Sequence, residues 1–191
     1  MTEERPAPSS TTTPEATTTP EATIAAWRDA AERGDADAAG HLFAAGIEVI
    51  SPLTEQFRFH GPEQVTAMLA AAFETISDIR FHTQVGADRT WALFFHARAG
   101  RQFVEEAQLL RLDASSHIRE LTLFGRPLPA LTAVMSEIGP RLLRGRRRPA
   151  LARLVGALTG PVAALTRVGD RRIVPLADPR RPHRTGPAVR G

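Results

Sequence analysis

The sequence contains no cysteine and no lysine. Without cysteine, the chain can form neither disulfide bonds nor thiolate metal sites. Without lysine, all 24 basic residues are arginine. The first residues also lack the basic segment and apolar run of a secretory signal peptide, since they are rich in acids, prolines and threonines. We therefore expect a cytoplasmic protein.

Charge is unevenly distributed along the 191 residues. Residues 1–140 hold 11 arginines and 19 acidic residues, whereas residues 141–191 hold 13 arginines and 2 aspartates. The two parts therefore carry net charges of −8 and +11. An acidic body with a basic tail predicts either an anionic partner for the tail or contact between tail and body.

Both ends of the chain have compositions that predict disorder. Residues 1–22 consist mainly of Thr, Pro, Glu, Ser and Ala, and residues 169–191 are rich in Arg and Pro. Such segments bury too little apolar surface to offset the loss of chain entropy on folding. The chain as a whole is 42% hydrophobic, which suffices for the core of one domain between these ends.

Three apolar segments dominate the middle of the chain. They cover Thr90–Ala99, Phe103–Leu112 and His117–Phe124, and short breaks rich in Gly, Asp and Ser separate them. Segments of this length, bounded by turn residues, predict an antiparallel meander of β-strands. A further strand is predicted over Ile79–Val85, directly before the meander.

Two helices are predicted near the start of the folded region. Thr23 is suited to cap a helix over Ile24–Arg33, and Gly34 is suited to end it. Asp35 is then suited to cap a second, short helix that continues to Phe43. The short spacing between these signals predicts two helices joined by a tight turn.

Short strands and two more helices complete the predicted elements. The strands are expected at Ile47–Ile50 and Gln56–Phe59. Gly61-Pro62 opens a helix with proline at its first position, and the apolar residues that follow fall on one face. A last helix is predicted over Leu128–Ile138, where Gly139-Pro140 would end it.

The order of elements predicts an α+β fold with helices on one face of a curved antiparallel sheet. A set of spaced residues adds to this prediction: Trp27, Arg33-Gly34-Asp35, Leu42-Phe43, Ile47-Glu48-Val49, Gly61-Pro62-Glu63 and Ile118–Phe124. Over about residues 23–138 they resemble the SnoaL-like branch of the nuclear transport factor 2-like superfamily. The resemblance implies a cone-shaped fold with a deep pocket between the helices and the concave sheet face, and often a homodimer through the sheet.

Members of this superfamily include isomerases, cyclases, dehydratases and epoxide hydrolases, so the fold alone does not determine a function. The ketosteroid isomerase pattern implies a Tyr where this chain has Trp27, and a general-base Asp where it has Ser51. Its second acid would fall within Ala107–Leu109, which contains none. The resemblance therefore argues against ketosteroid isomerase chemistry. An epoxide hydrolase-like site would need an Asp two residues from Arg98, where this chain has Gly100.

Glu120 and His96 remain as catalytic candidates. By resemblance, Glu120, Thr122 and Phe124 share the pocket-lining face of the last strand. A Glu in an apolar cavity has a raised pKa, which suits a general base for removing a proton next to a carbonyl group. His96 could then donate a hydrogen bond to the developing enolate. The alternative is that Glu120 is a surface residue paired with an arginine and His96 lies on the outer sheet face.

Other residues are candidates for the pocket wall. Glu106 and Gln108 share their parity with apolar residues of the same strand, so one of them is expected to face inward and make a pocket hydrogen bond. A dimer contact is the alternative. Trp27 is expected in the core with its N–H near the pocket floor, and Met68 is expected to line the pocket. The histidines show no metal-ligand spacing, and we expect no structural metal and no cofactor.

The basic tail predicts a broken amphipathic helix. Arginines are concentrated at 141–148, and the mostly apolar segment Ala150–Val168 is interrupted by Gly160-Pro161. Six aliphatic residues fall there at helical spacing: Leu151, Leu154, Val155, Leu158, Val162 and Leu165. The appendage at 139–168 is thus suited to docking on the domain or, through residues 141–168, on an anionic membrane surface. Nucleic acid is not expected, because the tail has no recognised nucleic-acid motif.

Two functions remain open. One is a cofactor-free isomerase or cyclase-type enzyme acting on an apolar carbonyl compound. The other is a non-catalytic ligand-binding or dimeric interaction module whose basic tail contacts an anionic surface. In either case, the pocket is expected to take a small apolar ligand with one or two polar groups. A homodimer is also expected, because Phe103 and Leu109 would leave an apolar patch on the outer sheet face of a monomer.

Overall fold

A computed structural model describes residues 18–145 and 147–178. Two helices, α1 (Pro20–Arg33) and α2 (Ala36–Gly40), precede strands β1 (Phe43–Ile50) and β2 (Phe59–His60). Helix α3 (Gly61–Phe73) then leads into four long strands: β3 (Ile76–Ala87), β4 (Thr90–Ala99), β5 (Gln102–Leu112) and β6 (Ile118–Arg126). Helices α4 (Leu128–Gly145) and α5 (Pro149–Arg172) follow, and a short 3-10 helix, Val174–Ala177, comes after them.

The strands form one curved, open sheet in the order β2-β1-β6-β5-β4-β3. The predicted meander is confirmed, because β3 to β6 pair antiparallel with their sequence neighbours. The sheet is not antiparallel throughout, however, since β1 pairs with β6 in parallel, with Val49 opposite Leu121. This one parallel pair brings the start of the domain beside the last strand of the meander.

The core lies on the concave face of the sheet. Apolar residues of α1, α3, β1 and the meander form one buried cluster, which includes Ile24, Trp27, Ile47, Val65, Leu93, Leu110 and Leu121. A second cluster joins β3, β4 and β5 to α4 through Ile79, Phe95, Val104, Ala130 and Val134. The helices therefore cover one face of the sheet, as the α+β prediction requires.

The start of α1 differs from the prediction. The helix begins at Pro20, because Thr19 and not Thr23 is its cap: the Thr19 hydroxyl accepts a hydrogen bond from a backbone N–H of the first turn. The predicted disorder of residues 1–22 is therefore wrong for the last residues of that range. Residues 1–17 lie outside the described part of the chain.

The neighbouring elements also differ in length. Asp35 caps α2 as predicted, since its carboxylate accepts a hydrogen bond from the Ala38 N–H at 2.9 Å. The helix ends at Gly40, however, and Phe43 already belongs to β1. Strand β2 is shorter and β3 is longer than the predicted strands, because pairing with a neighbouring strand, rather than local composition, sets where each ends.

Both C-terminal helices continue through glycine–proline pairs that were expected to stop or break them. Helix α4 runs past Gly139-Pro140, and α5 runs past Gly160-Pro161. A proline inside a helix removes one hydrogen bond and crowds the preceding turn. We attribute the continuity to packing between the two helices, which buries Pro140. The predicted helix over 150–168 is thus present and is not broken at Gly160-Pro161, whereas residues 139–145 of the predicted appendage belong to α4.

The predicted disorder of residues 169–191 is wrong for its first part. Residues 169–172 belong to α5, and Val174–Ala177 forms the 3-10 helix. The arginines and prolines that favour disorder are concentrated later, in residues 179–191, which lie outside the described part of the chain.

The convex face of the sheet carries exposed apolar side chains. Phe103 is 51% exposed and Phe124 is 54% exposed, and the partly buried Leu109 lies on the same face, opposite Thr122. A patch of this kind favours an interface. The homodimer through this face stays a prediction.

The assignment of the two sheet faces can be tested by a pair of substitutions on β5. Leu110 is fully buried, so Leu110→Ala should lower the free energy of unfolding by about 2–5 kcal/mol. Leu109→Ala, one residue away on the convex face, should cost less than half as much. Urea denaturation measures both values, and equal losses would contradict the assignment.

The predicted homodimer can be tested by sedimentation velocity at micromolar concentration. Phe103→Glu and Phe124→Glu place a charge on the convex face and should convert a dimer into monomers, because an unpaired buried charge is costly. Leu176→Glu, which changes a similarly exposed apolar residue of the 3-10 helix outside the sheet, is the control. A monomeric wild-type protein would rule out the proposed dimer.

Candidate functional site

A cavity of about 270 Å³ lies between the sheet and helices α1, α3 and α4. Most of its wall is aliphatic or aromatic, and the wall includes Met68, Leu69, Phe73, Phe95, Val104, Leu121, Leu123, Leu131, Val134, Ile138 and Leu142. Polar groups on the wall come from Trp27, Ser51, Thr54, Glu106 and Gln108. An apolar cavity with a few convergent polar groups is the usual form of a small-molecule site.

Glu106 and Gln108 both enter the cavity from β5. They alternate with outward residues and share their parity with the buried residues Val104 and Leu110. The sequence pattern predicts that one of them faces inward, and the structure places both there. The two polar side chains lie next to each other on the concave face, where they can interact.

Trp27, Gln108 and Glu106 form a short hydrogen-bonded chain. The Trp27 Nε1–H donates to Gln108 Oε1 at 3.0 Å, and Gln108 Nε2 donates to Glu106 Oε1 at 3.1 Å. An indole N–H can only donate, so it must face the carbonyl end of the Gln108 amide. The amide nitrogen is therefore turned toward Glu106, and the orientation of all three groups is determined.

Burial changes the acidity of Glu106. Loss of hydration raises the pKa of this carboxyl group to about 7, and the hydrogen bond from Gln108 lowers the pKa by a smaller amount. Among the described residues, Gln108 is the one hydrogen-bond partner of the carboxyl group. A carboxyl group that titrates near neutral pH can both accept and return a proton.

Residues 24–119 match the family described as SnoaL-like domain. The chain belongs to this SnoaL-like family. The match covers about half of the chain and confirms the resemblance found in the sequence. No protein of curated function matches the chain.

Solved structures show the same fold. A steroid delta-isomerase from Pseudomonas aeruginosa is 26% identical, with a TM-score of 0.62 over 70% of this chain and 96% of the other. A protein with a cystatin-like fold from Silicibacter pomeroyi DSS-3 is 22% identical, with a TM-score of 0.63 over 65% and 88% of the chains. A putative SnoaL-like polyketide cyclase from Jannaschia sp. CCS1 is 16% identical, with a TM-score of 0.51 over 60% and 90%.

The two predicted catalytic residues of this SnoaL-like protein lie outside the cavity. Glu120 is opposite Arg111, whose Nε donates to Glu120 Oε1 at 3.1 Å on the convex face. His96 is exposed and lies opposite Glu105 on the same face. The expectation that these two residues meet at the pocket is therefore wrong. The alternative is observed: Glu120 is paired with an arginine, and His96 lies on the outer face of the sheet.

A β-bulge explains the error in β6. Ile118 faces inward opposite Leu112, but the register shifts before Glu120 pairs with Arg111, so Arg119 is an extra residue in the strand. Such an insertion reverses the faces of all later residues. Alternation counted from Ile118 would place Glu120 inward, whereas in the structure it faces outward.

The same register shift places two predicted pocket residues, Thr122 and Phe124, outside the pocket. Thr122 pairs with Leu109 and Phe124 pairs with Ala107, and both pairs lie on the convex face. Leu121 and Leu123 occupy the cavity wall in their place. Trp27, Met68, Glu106 and Gln108 line the cavity as predicted.

Two parts of the wall are not predicted by the sequence pattern. The loop after β1 contributes Ser51 and Thr54, whose hydroxyl groups accept hydrogen bonds from the backbone N–H groups of Leu53 and Gln56, both at 3.1 Å. Helix α4 contributes an apolar part of the wall that includes Leu131, Val134 and Ile138. Its contribution extends to Leu142, which the predicted stop at Gly139-Pro140 excludes.

Three donor groups lie close together on the convex face. Ligand atoms of His82, His96 and Glu105 are all within 4.8 Å of one another. The Glu105 carboxylate also accepts a hydrogen bond from Arg126 Nε at 2.7 Å, and a metal ion would compete with this arginine. Both histidines are exposed to solvent. We assign no metal to this cluster, and the expectation of no structural metal stays a prediction.

The raised pKa of Glu106 makes folding stability depend on pH. The pKa is about 7 in the folded protein and 4.5 as a free side chain, so the folded state holds the proton over a pH range in which the unfolded chain has lost it. The contribution of Glu106 to stability is therefore full below pH about 4.5 and is lost as pH rises to about 7. The loss is on the order of 3 kcal/mol.

Glu106→Gln keeps the shape of the side chain but cannot ionise. The difference in free energy of unfolding between this variant and the wild type, measured by urea denaturation, should grow in favour of the variant from pH 4.5 to 7 and then level off. Glu105→Gln, next to it on the convex face, is the control and should not show this trend. Parallel pH curves for wild type and Glu106→Gln would contradict the burial of an ionisable carboxyl group.

Proposed function

We propose that this SnoaL-like protein is a cofactor-free isomerase or cyclase-type enzyme that acts on a small apolar carbonyl compound. The observation that carries the proposal is the Glu106 carboxyl group, whose pKa is raised to about 7 inside an apolar cavity. In its ionised form it is a base matched to neutral pH, and in its protonated form it is an acid.

The reaction begins with proton removal. The Glu106 carboxylate takes a proton from the carbon next to the substrate carbonyl, and the electron pair of that C–H bond moves to form an enolate. The protonated carboxyl group then returns the proton to another carbon of the substrate, which completes an isomerisation. Alternatively, the enolate carbon attacks a second carbonyl carbon of the same substrate, which closes a ring. The electron pair of that C=O bond then moves to its oxygen, and this oxygen takes the proton from the Glu106 carboxyl group. Exclusion of water by the apolar wall strengthens the electrostatic interactions of each step.

The cavity also offers hydrogen-bond donors for the enolate oxygen. The hydroxyl groups of Ser51 and Thr54 each accept a hydrogen bond from a backbone N–H, and this contact holds the oxygen in place. Each hydroxyl retains its own proton for donation. Donors positioned before the reaction, close to where negative charge develops, lower the barrier.

The size of the cavity limits the substrate. Its volume of about 270 Å³ is below the range of about 300–1,000 Å³ found for pockets of drug-sized ligands. A compound with one or two rings therefore fits better than a larger polycyclic one. Its carbonyl group would be the polar group recognised in an otherwise apolar cavity.

One relative supports the reaction class. The Pseudomonas aeruginosa protein, 26% identical over most of its length, is named a steroid delta-isomerase. The residues expected for ketosteroid isomerase chemistry are replaced here by Trp27 and Ser51, so the base comes from another position. Glu106 on β5 supplies it in our proposal.

The alternative function is binding without catalysis. The apolar wall supports it equally, because the same cavity would hold an apolar ligand whether or not Glu106 transfers a proton. The presence of a buried ionisable group favours catalysis, since a neutral polar residue would serve binding without the cost of desolvating a carboxylate.

The proposal is tested with cyclohex-3-enone, a one-ring ketone whose double bond can move into conjugation with the carbonyl. Ultraviolet absorbance follows the conjugated product, and kcat/KM should rise with pH up to about 7 and then level off. Glu106→Gln should lower the rate by about 10²–10⁴-fold. Glu120→Gln, on the convex face, should leave it unchanged.

Ligand-detected NMR separates the two functions in the same samples. Binding of the ketone without turnover by the wild type, or equal turnover by wild type and Glu106→Gln, would favour a non-catalytic pocket. Uptake of solvent deuterium next to the carbonyl, lost in Glu106→Gln, would support proton transfer even if the double bond does not move.

A further inference from the structure

Helix α5 exposes a continuous apolar stripe. Its members are 39% to 71% exposed: Leu151, Leu154, Leu158, Val162, Leu165 and Val168. At 3.6 residues per turn these positions fall on one side of the helix. Monomeric soluble proteins rarely leave so large a contiguous aliphatic surface in water. We refer to these six residues as the α5 stripe.

The side of α5 away from the stripe is already occupied. Ala152 and Ala163 are buried, and Thr166 Oγ1 lies 2.7 Å from Thr132 Oγ1 of α4. Gly139 of α4 lies beside Val155, and Pro140 lies beside Gly156. Because Thr132, earlier in α4, meets Thr166, later in α5, the two helices run antiparallel in close contact. This packed side holds α5 to the domain, and the stripe therefore cannot turn inward.

Arginines lie on one side of the stripe and at both ends of α5. Arg153, Arg167 and Arg171 lie on a third side of α5, between the packed side and the stripe, and they are exposed. Arg147 and Arg148 precede the helix and are exposed as well. This region belongs to the part of the chain, residues 141–191, whose net charge is +11.

We propose that α5 lies in the surface of an anionic lipid bilayer, with the stripe among the acyl chains and the arginines at the lipid phosphates. A helix with one apolar side and arginines beside it is suited to this position. Arginine binds phosphate through two parallel hydrogen bonds, which fits the headgroup layer. The negative surface potential of an anionic bilayer also attracts each arginine that lies close to it.

Charge argues against a second copy of this chain as the occupant. Two copies joined through their stripes would bring two sets of arginines together, and like charges would oppose the contact. An anionic bilayer offers apolar chains and negative charge in the same layer, so it complements both features of α5.

Length and composition also allow a second membrane arrangement. The segment Pro149–Ala177 is long and apolar enough to cross a membrane by those two criteria, and 11% of its most apolar window is buried in the protein. Crossing, however, would carry its partner α4 toward the hydrocarbon, including the ion pair between Glu137 and Arg141. Such charges are costly there, which favours the surface position.

The surface position would bring lipid close to the cavity. Helix α4 contacts α5 on one side and lines the cavity on another through Leu131, Val134 and Leu142. The cavity would then lie about one helix diameter, roughly 10 Å, from the bilayer. An apolar substrate dissolved in the membrane would have a short path to it, a consequence that rests on the proposed function.

Vesicle flotation of the full chain tests the proposal. The wild type should float with vesicles of phosphatidylcholine containing phosphatidylglycerol and much less with pure phosphatidylcholine. Leu158→Glu combined with Leu165→Glu should lower the bound fraction at least about tenfold. Arg153→Gln combined with Arg167→Gln should weaken binding to anionic vesicles by roughly fivefold per arginine and reduce its dependence on salt.

Two controls separate this proposal from others. Val85→Glu changes an apolar residue of similar exposure on the sheet and should bind vesicles as the wild type does. Glu106→Gln should also bind normally, so that failure of the catalytic proposal cannot be mistaken for failure of this one. Circular dichroism of each variant establishes that it is folded.

Three results would overturn the proposal. In the first, the wild type binds neither kind of vesicle, or the stripe variant binds as well as the wild type. In the second, the stripe variant dissociates a dimer in sedimentation while vesicle binding is absent, which identifies a second copy as the occupant. In the third, the protein resists extraction from membranes at alkaline pH, which indicates a spanning helix.

Discussion

Ionising a carboxyl group inside an apolar cavity costs free energy, and the pleat of β5 places the Glu106 carboxyl group in such a cavity. The chain from Trp27 through Gln108 to Glu106 limits that cost by supplying one well-oriented hydrogen bond. The proposed chemistry depends on the balance between these two effects. A stronger set of donors would lower the pKa of Glu106, and the group would no longer exchange protons near neutral pH.

The cavity itself depends on elements from both ends of the chain. The parallel pairing of β1 with β6 brings the N-terminal helices onto the meander, and Trp27 thereby reaches Gln108, 81 positions later in the chain. Helix α4 covers the remaining side, and α5 packs against α4. The arrangement separates an apolar cavity from an exterior whose apolar residues and arginines suit the proposed interface with lipid.

Much of the fold follows from local patterns in the sequence. The limits of β4, the N-cap of α2, the start of α3 at Gly61-Pro62 and the shared parity of Glu106 and Gln108 are visible in spacing and turn residues alone. The outward position of His96 is also visible locally, because His96 alternates with the buried residues Phe95 and Ala97 of β4. The predicted position of Glu120 and the predicted end of α4 were wrong for reasons that local patterns do not contain. The bulge at Arg119 is set by pairing with β5, and the continuity of α4 through Pro140 is set by contact with α5. Both features depend on contacts with residues distant in sequence, and the secondary-structure propensities of the local residues do not predict them.

The central claim is that Glu106 titrates near neutral pH in the folded protein. The most direct measurement is the side-chain carboxyl ¹³C chemical shift of Glu106, followed by NMR from pH 4 to pH 9 and assigned by its loss in Glu106→Gln. Our account predicts a midpoint of about 7. A midpoint near 4.5, the value of a free glutamate side chain, would contradict it.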